Sequence, residues 1–290
     1  MKILVTGSNG FIGKNLLEHF QQKFDLVFCP KRNELNLLDV QAVESYIKSN
    51  KFDIVIHCCV TLVSIEENLK MYFNLERMSN FYGKLICIGS GAEFDKRNYI
   101  PKMKEEYFNK HIPSKLDIYG YSKYIIAKDI ESRKRNIFNL RVFGIFGKYE
   151  DYTRRLISNI ICKLLIGENI VLNKNGCFDY IYVNDFSKIV EKFINQNPKF
   201  STYNTCTGST VEFLTLAKIV NQIDGREKKI LVKQDGFSPE YSGDNSRYIN
   251  EFGPIDLTNI KYSIRELFDW YKFKSNLIFD ERLFDNWYKN

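Results

Sequence analysis

The sequence predicts an α/β protein built on a doubly wound parallel sheet, followed by a smaller lobe of mixed helices and strands. Short apolar runs, typical of buried parallel strands, alternate with segments of helical period through the first half of the chain. A glycine-rich loop connects the first of these strands to the first helix. After Gly147 the alternation becomes irregular. We therefore predict a sheet domain over residues 1–150 and a substrate lobe mainly over 151–290, with 180–206 as a candidate for return to the sheet.

Each predicted element rests on its own residue pattern. The predicted strands share a high content of large apolar residues, and they are KILVT (2–6), DLVFC (25–29), DIVIHC (53–58), KLICIG (84–89) and NLRVF (139–143). The predicted helices share an apolar face of helical period, and they cover residues 11–22, 39–50 and 121–134. In the second lobe, the Asn-Gly pair of NKNG (173–176) predicts a hairpin turn ahead of YIYV (180–183).

Composition and charge narrow the function classes. The chain has 290 residues, 44% of them hydrophobic, and its 42 Lys and Arg against 35 Asp and Glu give a net charge of +7. The basic residues are spread along the chain, which favours a phosphorylated small molecule over a nucleic acid as partner. The seven cysteines include no CxxC pair and the three histidines no HExxH motif, so we expect reduced thiols and no metal site. The N-terminus enters KILVTG directly and no apolar run reaches membrane-spanning length, so we expect a cytoplasmic protein without a membrane partner.

The loop TGSNGFIG (6–13) has the features of a dinucleotide-binding loop. It follows a predicted strand and opens a predicted helix, which is the context that such a glycine pattern requires. Gly7 would make the tight turn, Gly10 would admit a pyrophosphate close to the backbone, and Gly13 would let the helix pack on the sheet. The candidate cofactor contacts of this loop are Gly7, Asn9, Gly10, Phe11, Ile12 and Gly13.

The residues after the second strand indicate which dinucleotide the loop would hold. An acidic side chain there would bind the 2′-hydroxyl of NAD, whereas CPKRNE (29–34) places Lys31 and Arg32 at this point. A guanidinium suits a 2′-phosphate, so we predict NADP(H) and assign Arg32 to it. The alternative is that Arg32 is a solvated loop residue and that the cofactor is NAD. Asp39 is a candidate for the adenine end of the site and an equally good candidate for a helix N-cap.

The segment DIYGYSKYIIAK (117–128) carries a candidate catalytic pair. Tyr119 and Lys123 are four residues apart, so on a helix they share a face, whereas Tyr121 points well away from Lys123. A nearby ammonium stabilises a phenolate, which helps a tyrosine to exchange its proton. Downstream of a dinucleotide loop and a fourth strand, this spacing predicts Tyr119 and Lys123 as catalytic residues and leaves Tyr121 and Tyr124 as aromatic packing.

With these motifs the chain resembles, over nearly its full length, the extended short-chain dehydrogenase/reductases. These proteins form the NAD-dependent epimerase/dehydratase family. The resemblance rests on TGSNGFIG (6–13), HCCV (57–60), IGSGAEF (88–94), YGYSK (119–123), LRVFGIFG (140–147), DYIYVND (179–185) and YNTCTG (203–208). It implies an NADP-binding Rossmann domain in which Ser90 hydrogen-bonds the reacting oxygen, Tyr119 exchanges its proton and Lys123 binds the nicotinamide ribose.

The same resemblance extends the candidate cofactor site. It implies that His57, Cys58 and Cys59 line the nicotinamide side and that Asn74 lies near the cofactor. For His57 itself, a buried structural imidazole is the stronger interpretation.

Within this family, RNELNLLD (32–39) is similar to the GDP-fucose synthase group, whose members use NADPH. Dehydratases of the family carry an Asp–Glu pair after the catalytic Ser or Thr, and the fucose synthases carry a cysteine there that works with a histidine to epimerise C3 and C5. This chain has Gly91 and Ala92 at those positions, and Arg154 and Arg155 where the histidine is expected. Arginine is a poor base because it stays protonated. We therefore predict hydride transfer at one carbonyl without C3/C5 epimerisation.

Substrate contacts have to be sought among other groups, because the diphosphate-binding arginine of the family aligns with Phe178. The candidates combine the catalytic centre with nearby or cationic side chains, and they are Ser90, Ala92, Tyr119, Arg154, Arg155, Lys174 and Arg247.

Together these features predict an NADPH-dependent reductase acting at C4 of a nucleoside-diphosphate 4-keto sugar. The sugar would be a 6-deoxyhexose or heptose for a surface polysaccharide, and the resemblance at residues 32–39 favours GDP. An NAD-dependent 4-epimerase, which would need the same three catalytic residues, is the first alternative, and a non-catalytic protein that senses or binds NADP(H) is the second. Family members commonly dimerise through the helix before the fourth strand and the Tyr–Lys helix; the short segment at 74–85 leaves a homodimer as an open expectation.

Overall fold

The structure is a computed structural model that describes residues 1–133 and 136–274. Two predictions reach beyond these ranges. The last residue of the helix predicted over 121–134 and residues 275–290 of the predicted substrate lobe lie outside the described residues.

The described ranges contain strands and helices that alternate regularly up to about residue 142. The twelve strands found there are β1 (Lys2–Thr6), β2 (Leu26–Phe28), β3 (Ile54–His57), β4 (Lys84–Ser90), β5 (Ile137–Val142), β6 (Gly144–Phe146), β7 (Ile170–Asn175), β8 (Cys177–Phe178), β9 (Tyr180–Tyr182), β10 (Thr202–Asn204), β11 (Val211–Glu212) and β12 (Ile230–Phe237). The nine α-helices of the same ranges are α1 (Phe11–Gln21), α2 (Val40–Asn50), α3 (Ile65–Glu76), α4 (Ile118–Ser132), α5 (Leu156–Leu165), α6 (Val183–Asn195), α7 (Phe213–Asp224), α8 (Ser246–Phe252) and α9 (Ile260–Phe273).

A six-stranded parallel sheet confirms the predicted fold class. Its strand order is β10-β5-β4-β3-β1-β2, and every neighbouring pair runs in parallel. From β1 the chain moves to one side into β2 and then crosses to the other side of β1 to form β3, so the strand order reverses between β1 and β3. Ligands of doubly wound sheets bind at the carboxyl ends of the strands where this reversal occurs. The loops after Thr6 and His57 therefore border the expected binding crevice.

Both faces of the sheet are covered, which explains why its strands have continuous apolar sequences instead of alternating ones. One core lies between the sheet and α1 and α6, and its buried members include Ile3, Val5, Leu16, Phe20 and Phe186. The other lies against α2, α3 and α4, and its buried members include Leu4, Val55, Ile47, Leu75 and Ile130. Packing on both faces holds the strand ends, and thus the loops that follow them, in place.

A separate apolar cluster builds the second lobe. It joins α5, α7 and α9 to β7, with Ile161, Leu216 and Leu267 among its fully buried members. The hairpin predicted at 173–176 was wrong, because β7 continues to Asn175 and pairs in parallel with β12. An Asn-Gly pair forms a hairpin only when the next strand folds back onto the first, and here the partner strand comes from residue 230 onward.

Two segments beyond residue 180 pack with the sheet domain. β10 pairs with β5 as the edge strand of the large sheet, and its Tyr203 lies in the core together with Tyr248 of α8. β9 instead pairs with β6 in a two-stranded ladder beside the sheet. The chain therefore passes more than once between the sheet domain and the second lobe.

Candidate active site

The glycine-rich loop adopts a backbone that only glycine fits well. Gly7 has a φ of +72°, and a Cβ built there would lie 2.7 Å from the backbone nitrogen of Cys59 at the end of β3. A Cβ at Gly13 would overlap the Gly7 carbonyl oxygen, so this glycine lets α1 begin directly against the turn. The loop therefore lies in the crevice between β1 and β3.

The N-terminus of α1 is built to receive an anion. Its N-cap is Gly10, which has no side chain to accept hydrogen bonds from the first turn. The Gly10 amide donates to the Gly7 carbonyl over 3.0 Å, and this bond closes the loop. Backbone N–H groups at a helix start, together with the helix dipole, attract phosphate. Phe11, Ile12 and Gly13 supply those N–H groups, and the geometry fits a dinucleotide pyrophosphate.

The three cofactor candidates Arg32, Asp39 and Asn74 have different surroundings in the structure. Arg32 is exposed, and its positive charge acts on the Cys59 thiol at the loop. Asp39 accepts from the Gln41 and Ala42 amides and thus caps α2, as one of its two interpretations had it. Asn74 is buried and donates its amide to the Leu37 carbonyl over 2.9 Å, so this side chain holds the loop before α2.

At the end of β3, buried groups line the crevice floor. His57 is 3% exposed, and its Nδ1 lies 3.0 Å from the Thr6 hydroxyl. Burial, assisted by the positive charge of Lys123, lowers the pKa of His57 to about 3, so the ring is neutral at physiological pH. Burial likewise raises the pKa of the Cys58 and Cys59 thiols. These features agree with a structural rather than an acid–base role for His57.

Ser90 ends β4 in a tightly bonded turn. Its hydroxyl accepts from the Ala92 amide over 3.1 Å, and its own amide donates to the Glu93 carboxylate over 2.9 Å. These reciprocal bonds form a capping box on the short helical turn Gly91–Glu93. Ser90 as a residue is 7% exposed, so a small part of it is open to a ligand in the crevice.

The Tyr–Lys pair lies on α4 as the spacing predicts. Asp117 caps this helix by accepting from the Gly120 amide over 2.9 Å. The buried Lys123 ammonium donates to the Ile88 carbonyl of β4 over 2.6 Å and lies 5.8 Å from the centroid of the Tyr119 ring. An ammonium has three N–H donors, so two remain for a ribose or the phenol. The structure thus brings Tyr119 and Lys123 together beside the end of β4 that carries Ser90.

A buried ion pair behind Ser90 was missed by the sequence analysis. Arg141 of β5 is fully buried and donates from Nε to the Glu93 carboxylate over 2.7 Å. Asn139 donates to both oxygens of that carboxylate. The guanidinium also lies over the rings of Phe94 and Phe108. A charged residue inside the apolar run NLRVF was the available signal, because a buried arginine needs an acidic partner.

A tyrosine from the second lobe, Tyr241, lies next to the turn that follows Ser90. The Tyr241 ring contacts Phe143 at a centroid distance of 5.2 Å, and its phenol lies near enough to Ser90 and Tyr119 for both to affect its pKa, which burial raises. A Cβ at Gly91 would lie 2.6 Å from the Tyr241 hydroxyl and 2.6 Å from the Phe143 ring. The position at which dehydratases carry an acidic residue is therefore filled from elsewhere in the chain. No sequence pattern pointed to Tyr241.

The four cationic substrate candidates have different locations. Arg155 precedes α5, and its charge acts on Tyr241 and on the buried Glu150, so it lies near the catalytic centre. Arg154 is exposed beside it, and Lys174 runs alongside Gly236 of β12 in the second lobe.

Arg247 is not brought to the catalytic centre. Its guanidinium donates to Glu106 over 2.7 Å and to the Thr202 carbonyl over 2.9 Å. Its charge also acts on Glu131, three turns further along α4 than Tyr119. These partners tie Arg247 to the outer edge of the sheet.

The model of the NAD dependent epimerase/dehydratase family matches residues 3–206, from β1 to just beyond β10. The chain belongs to this family. The matched range contains the glycine loop, Ser90, Tyr119 and Lys123, whereas Tyr241 lies outside it.

Individual members of the family are distant in sequence and similar in fold. GDP-6-deoxy-D-talose 4-dehydrogenase of Aggregatibacter actinomycetemcomitans is 23% identical over 291 residues, covering 92% of this chain and 97% of the relative. GDP-mannoheptose C4 reductase from Campylobacter jejuni, solved with NADP bound, gives a TM-score of 0.81 at 22% identity, covering 93% and 98% of the two chains. GDP-D-glycero-L-gluco-heptose synthase from Campylobacter jejuni, solved in the presence of NADPH, gives a TM-score of 0.80 at 20% identity, covering 93% and 98%.

The described residues also bear on metal binding and on membrane insertion. Within residues 1–133 and 136–274, no group of three or more His, Cys, Asp or Glu side chains is arranged to hold a metal ion. In the same ranges, no helix combines the length and apolar character needed to cross a bilayer.

Glu150, beneath Arg155, makes the stability of this family member depend on pH. Burial raises the pKa of its carboxyl from 4.5 to about 8, although Ser158 donates a hydrogen bond to it. Between these values the folded state holds a proton that the unfolded state lacks, so this group lowers the free energy of unfolding as pH rises from about 5 to about 8. We expect Glu150→Gln to raise that free energy by about 1–2 kcal/mol at pH 8 and to change it little at pH 5.

Urea denaturation at the two pH values would measure this difference. Glu168→Gln, which removes the charge of an exposed glutamate just beyond α5, is the control and should give no pH-dependent gain. Equal effects of Glu150→Gln at pH 5 and pH 8 would contradict the assignment.

Proposed function

We propose that this protein is an NADPH-dependent reductase of a nucleoside-diphosphate 4-keto sugar. The observation that carries the proposal is the placement of Ser90, Tyr119 and Lys123 around the carboxyl end of β4, beside a dinucleotide-type loop. The family supports an oxidoreductase or epimerase that modifies nucleotide sugars. Reduction at C4 is the finer proposal, and the names of the C4 reductase and 4-dehydrogenase relatives are consistent with it.

The cofactor proposal rests on the loop and on Arg32. The N–H groups at the start of α1 would bind the pyrophosphate, and the exposed Arg32 guanidinium would bind the 2′-phosphate. Relatives solved with NADP or NADPH add support to this choice. When bound, NADPH would supply the hydride.

Side chains of this protein would hydrogen-bond the carbonyl oxygen and supply its proton. Tyr119 would give its proton to the C4 oxygen as the alcohol forms, and Ser90 would donate a hydrogen bond to the same oxygen. Lys123, already held by the Ile88 carbonyl, would use its remaining N–H donors on the ribose and beside the phenol. Both hydrogen-bond acceptor sites of the carbonyl oxygen would then be filled.

Reduction without C3/C5 epimerisation follows from what surrounds Ser90. Epimerisation needs an acid and a base placed at a carbon atom. Gly91 and Ala92 carry no ionisable side chain, and positions 154 and 155 hold arginines, a residue type that makes a poor base. Tyr241 is a poor base, because burial keeps its pKa well above the usual range of a tyrosine.

The nucleotide would lie toward the second lobe. Arg155 is positioned to meet a diphosphate near the catalytic centre, while Arg154 and Lys174 offer further positive charge on the same lobe. GDP is favoured by residues 32–39 and by the GDP-linked names of the relatives. We further propose that the sugar is a 6-deoxyhexose or heptose made for a surface polysaccharide. The protein itself would be a cytoplasmic homodimer.

Incubation of the purified protein with a panel of 4-keto nucleotide sugars would test this function. We expect NADPH oxidation with a GDP-linked 4-keto sugar, formation of one C4 alcohol, and no exchange of solvent deuterium into C3 or C5. NADPH should bind more tightly than NADH; the reverse preference would remove the Arg32 assignment. Interconversion of C4 epimers without added NADPH would instead establish the 4-epimerase.

A further inference from the structure

The carboxylate of Glu93 holds the backbone of Ser90 at the end of β4. Its Oε1 accepts a hydrogen bond from the Ser90 amide over 2.9 Å, and Glu93 is buried. The ladder between β3 and β4 ends at Cys87. Beyond that point the Ile88 carbonyl accepts from Lys123, and the Ser90 amide donates to Glu93. Two side chains therefore take over from β3 in holding the end of β4 where it enters the crevice.

The Glu93 carboxylate is in turn fixed by two side chains of β5. Arg141 donates from Nε to Oε2 over 2.7 Å, and Asn139 donates to both oxygens over 3.1 Å and 3.0 Å. Arg141 and Asn139 are both buried. A buried carboxylate and a buried guanidinium each need the other, and together they add no net charge beside the crevice. The carboxylate is thus a rigid acceptor for the Ser90 amide.

Gly89, the residue before Ser90, provides the room for this arrangement. A Cβ built at Gly89 would overlap the Asn139 amide oxygen and the Glu93 carboxylate oxygen. Gly89 lies within β4 and its φ is not positive, so space is what this glycine supplies and not an unusual backbone conformation. The absent side chain is therefore a second feature, besides the hydrogen bonds, that lets the carboxylate reach the backbone of β4.

The turn held by Glu93 also holds the Ser90 hydroxyl. That hydroxyl accepts from the Ala92 amide over 3.1 Å, a bond that depends on the backbone conformation of residues 90–92. We propose that Glu93 is a positioning residue, which acts through the Ser90 backbone to keep the Ser90 hydroxyl where the carbonyl oxygen of the substrate would meet it. A donor that is already in place needs no reorganisation when negative charge develops on that oxygen.

This inference rests on the proposed C4 reduction, and two double variants test it. A single Glu93 variant would leave Arg141 buried without its anion, so both variants also carry Arg141→Met. Glu93→Met/Arg141→Met leaves the Ser90 amide without its acceptor. Glu93→Gln/Arg141→Met removes the same two charges, but its amide oxygen can still accept from the Ser90 amide. Neither variant retains an unpaired buried charge, so we expect both to fold, and urea denaturation would check this.

The kinetics of the two double variants should differ, with a GDP-linked 4-keto sugar as the probe. We expect Glu93→Met/Arg141→Met to lower kcat about tenfold, which corresponds to one hydrogen bond. Glu93→Gln/Arg141→Met should keep kcat within about threefold of the wild type, and both should change KM and the dissociation constant of NADPH less than about twofold. In a Ser90→Ala background the two double changes should give equal kcat values, because the hydroxyl through which Glu93 acts is then gone.

Glu105→Met is the matched control. Glu105 is also a buried carboxylate that accepts from a backbone amide, that of Asn204 over 2.8 Å, but Asn204 lies on β10, which β5 separates from β4. We expect Glu105→Met to leave kcat unchanged.

Two results would overturn the positioning role while leaving the reductase intact. One is an equal kcat in the two double variants when Ser90 is present, and the other is a tenfold difference between them that persists in the Ser90→Ala background. A wild-type protein that reduces none of the 4-keto sugars would overturn the proposed function and this inference with it. The failures are distinguishable, because the last one is seen without any variant.

Discussion

Tyr119→Phe is expected to lower kcat for reduction of the 4-keto sugar about a thousandfold. A positioned proton donor contributes 10²–10⁴-fold, and phenylalanine keeps the ring while removing the only proton that Tyr119 can give. The Lys123 ammonium would stay in place, because it is held by the Ile88 carbonyl and not by the phenol. The dissociation constant of NADPH, measured by fluorescence titration, should therefore change less than twofold.

The same helix offers a matched control for this substitution. Tyr121 lies two residues further along α4 and does not share the face of Lys123. We expect Tyr121→Phe to retain wild-type kcat. If Tyr119→Phe and Tyr121→Phe had equal activities, Tyr119 would not be the proton donor.

Arg141→Met is expected to destabilise the protein by about 3–5 kcal/mol, the largest stability effect that we predict. The arginine is fully buried, and its loss would leave the buried Glu93 carboxylate without its cation. Methionine retains much of the side-chain volume, so the loss would come mainly from the unpaired charge. Urea denaturation should show a lower midpoint with an unchanged m-value.

An exposed ion pair provides the comparison. Lys70 pairs with Glu66 over 2.6 Å and both side chains are exposed, so Lys70→Met should cost no more than about 1 kcal/mol. Adding Glu93→Gln to Arg141→Met should restore part of the lost stability, because the second change removes the uncompensated charge. Equal losses for Arg141→Met and Lys70→Met would argue against a buried ion pair behind Ser90.

Local patterns were sufficient for much of the fold and for the helical spacing of Tyr119 and Lys123, whose catalytic role stays a prediction. The five strands predicted in the first half all formed, because continuous apolar runs are what a sheet covered on both faces requires. Tyr119 and Lys123 were separable from Tyr121 by helical spacing alone, since residues four apart share a face. The glycine loop was equally predictable from the sequence, because its turn, its helix start and its φ of +72° at Gly7 arise within eight consecutive residues.

Local patterns failed where a residue's role depends on a distant partner. The Asn-Gly pair at 175–176 indicated a hairpin, yet β7 pairs with a strand that begins at residue 230. Arg247 carried the right charge for a diphosphate, but tertiary packing commits it to Glu106 at the sheet edge. Charge and turn propensity can be read from a residue and its neighbours in sequence. The strand or side chain with which that residue pairs is decided only when the chain folds.

The sequence by itself determined the doubly wound sheet, the dinucleotide-type loop and the Tyr119–Lys123 spacing, because hydrophobic period and short-range geometry specify each of them. Only the tertiary structure placed Glu93 against Arg141, 48 residues away, and set the hydroxyl of Tyr241 beside Gly91. These contacts form only when the strands and lobes are packed, because the partners are far apart in sequence. The arginine inside NLRVF indicates that an acidic partner is needed, but it does not identify Glu93 as that partner. The contacts around Ser90 therefore depend on how the second lobe packs against the sheet.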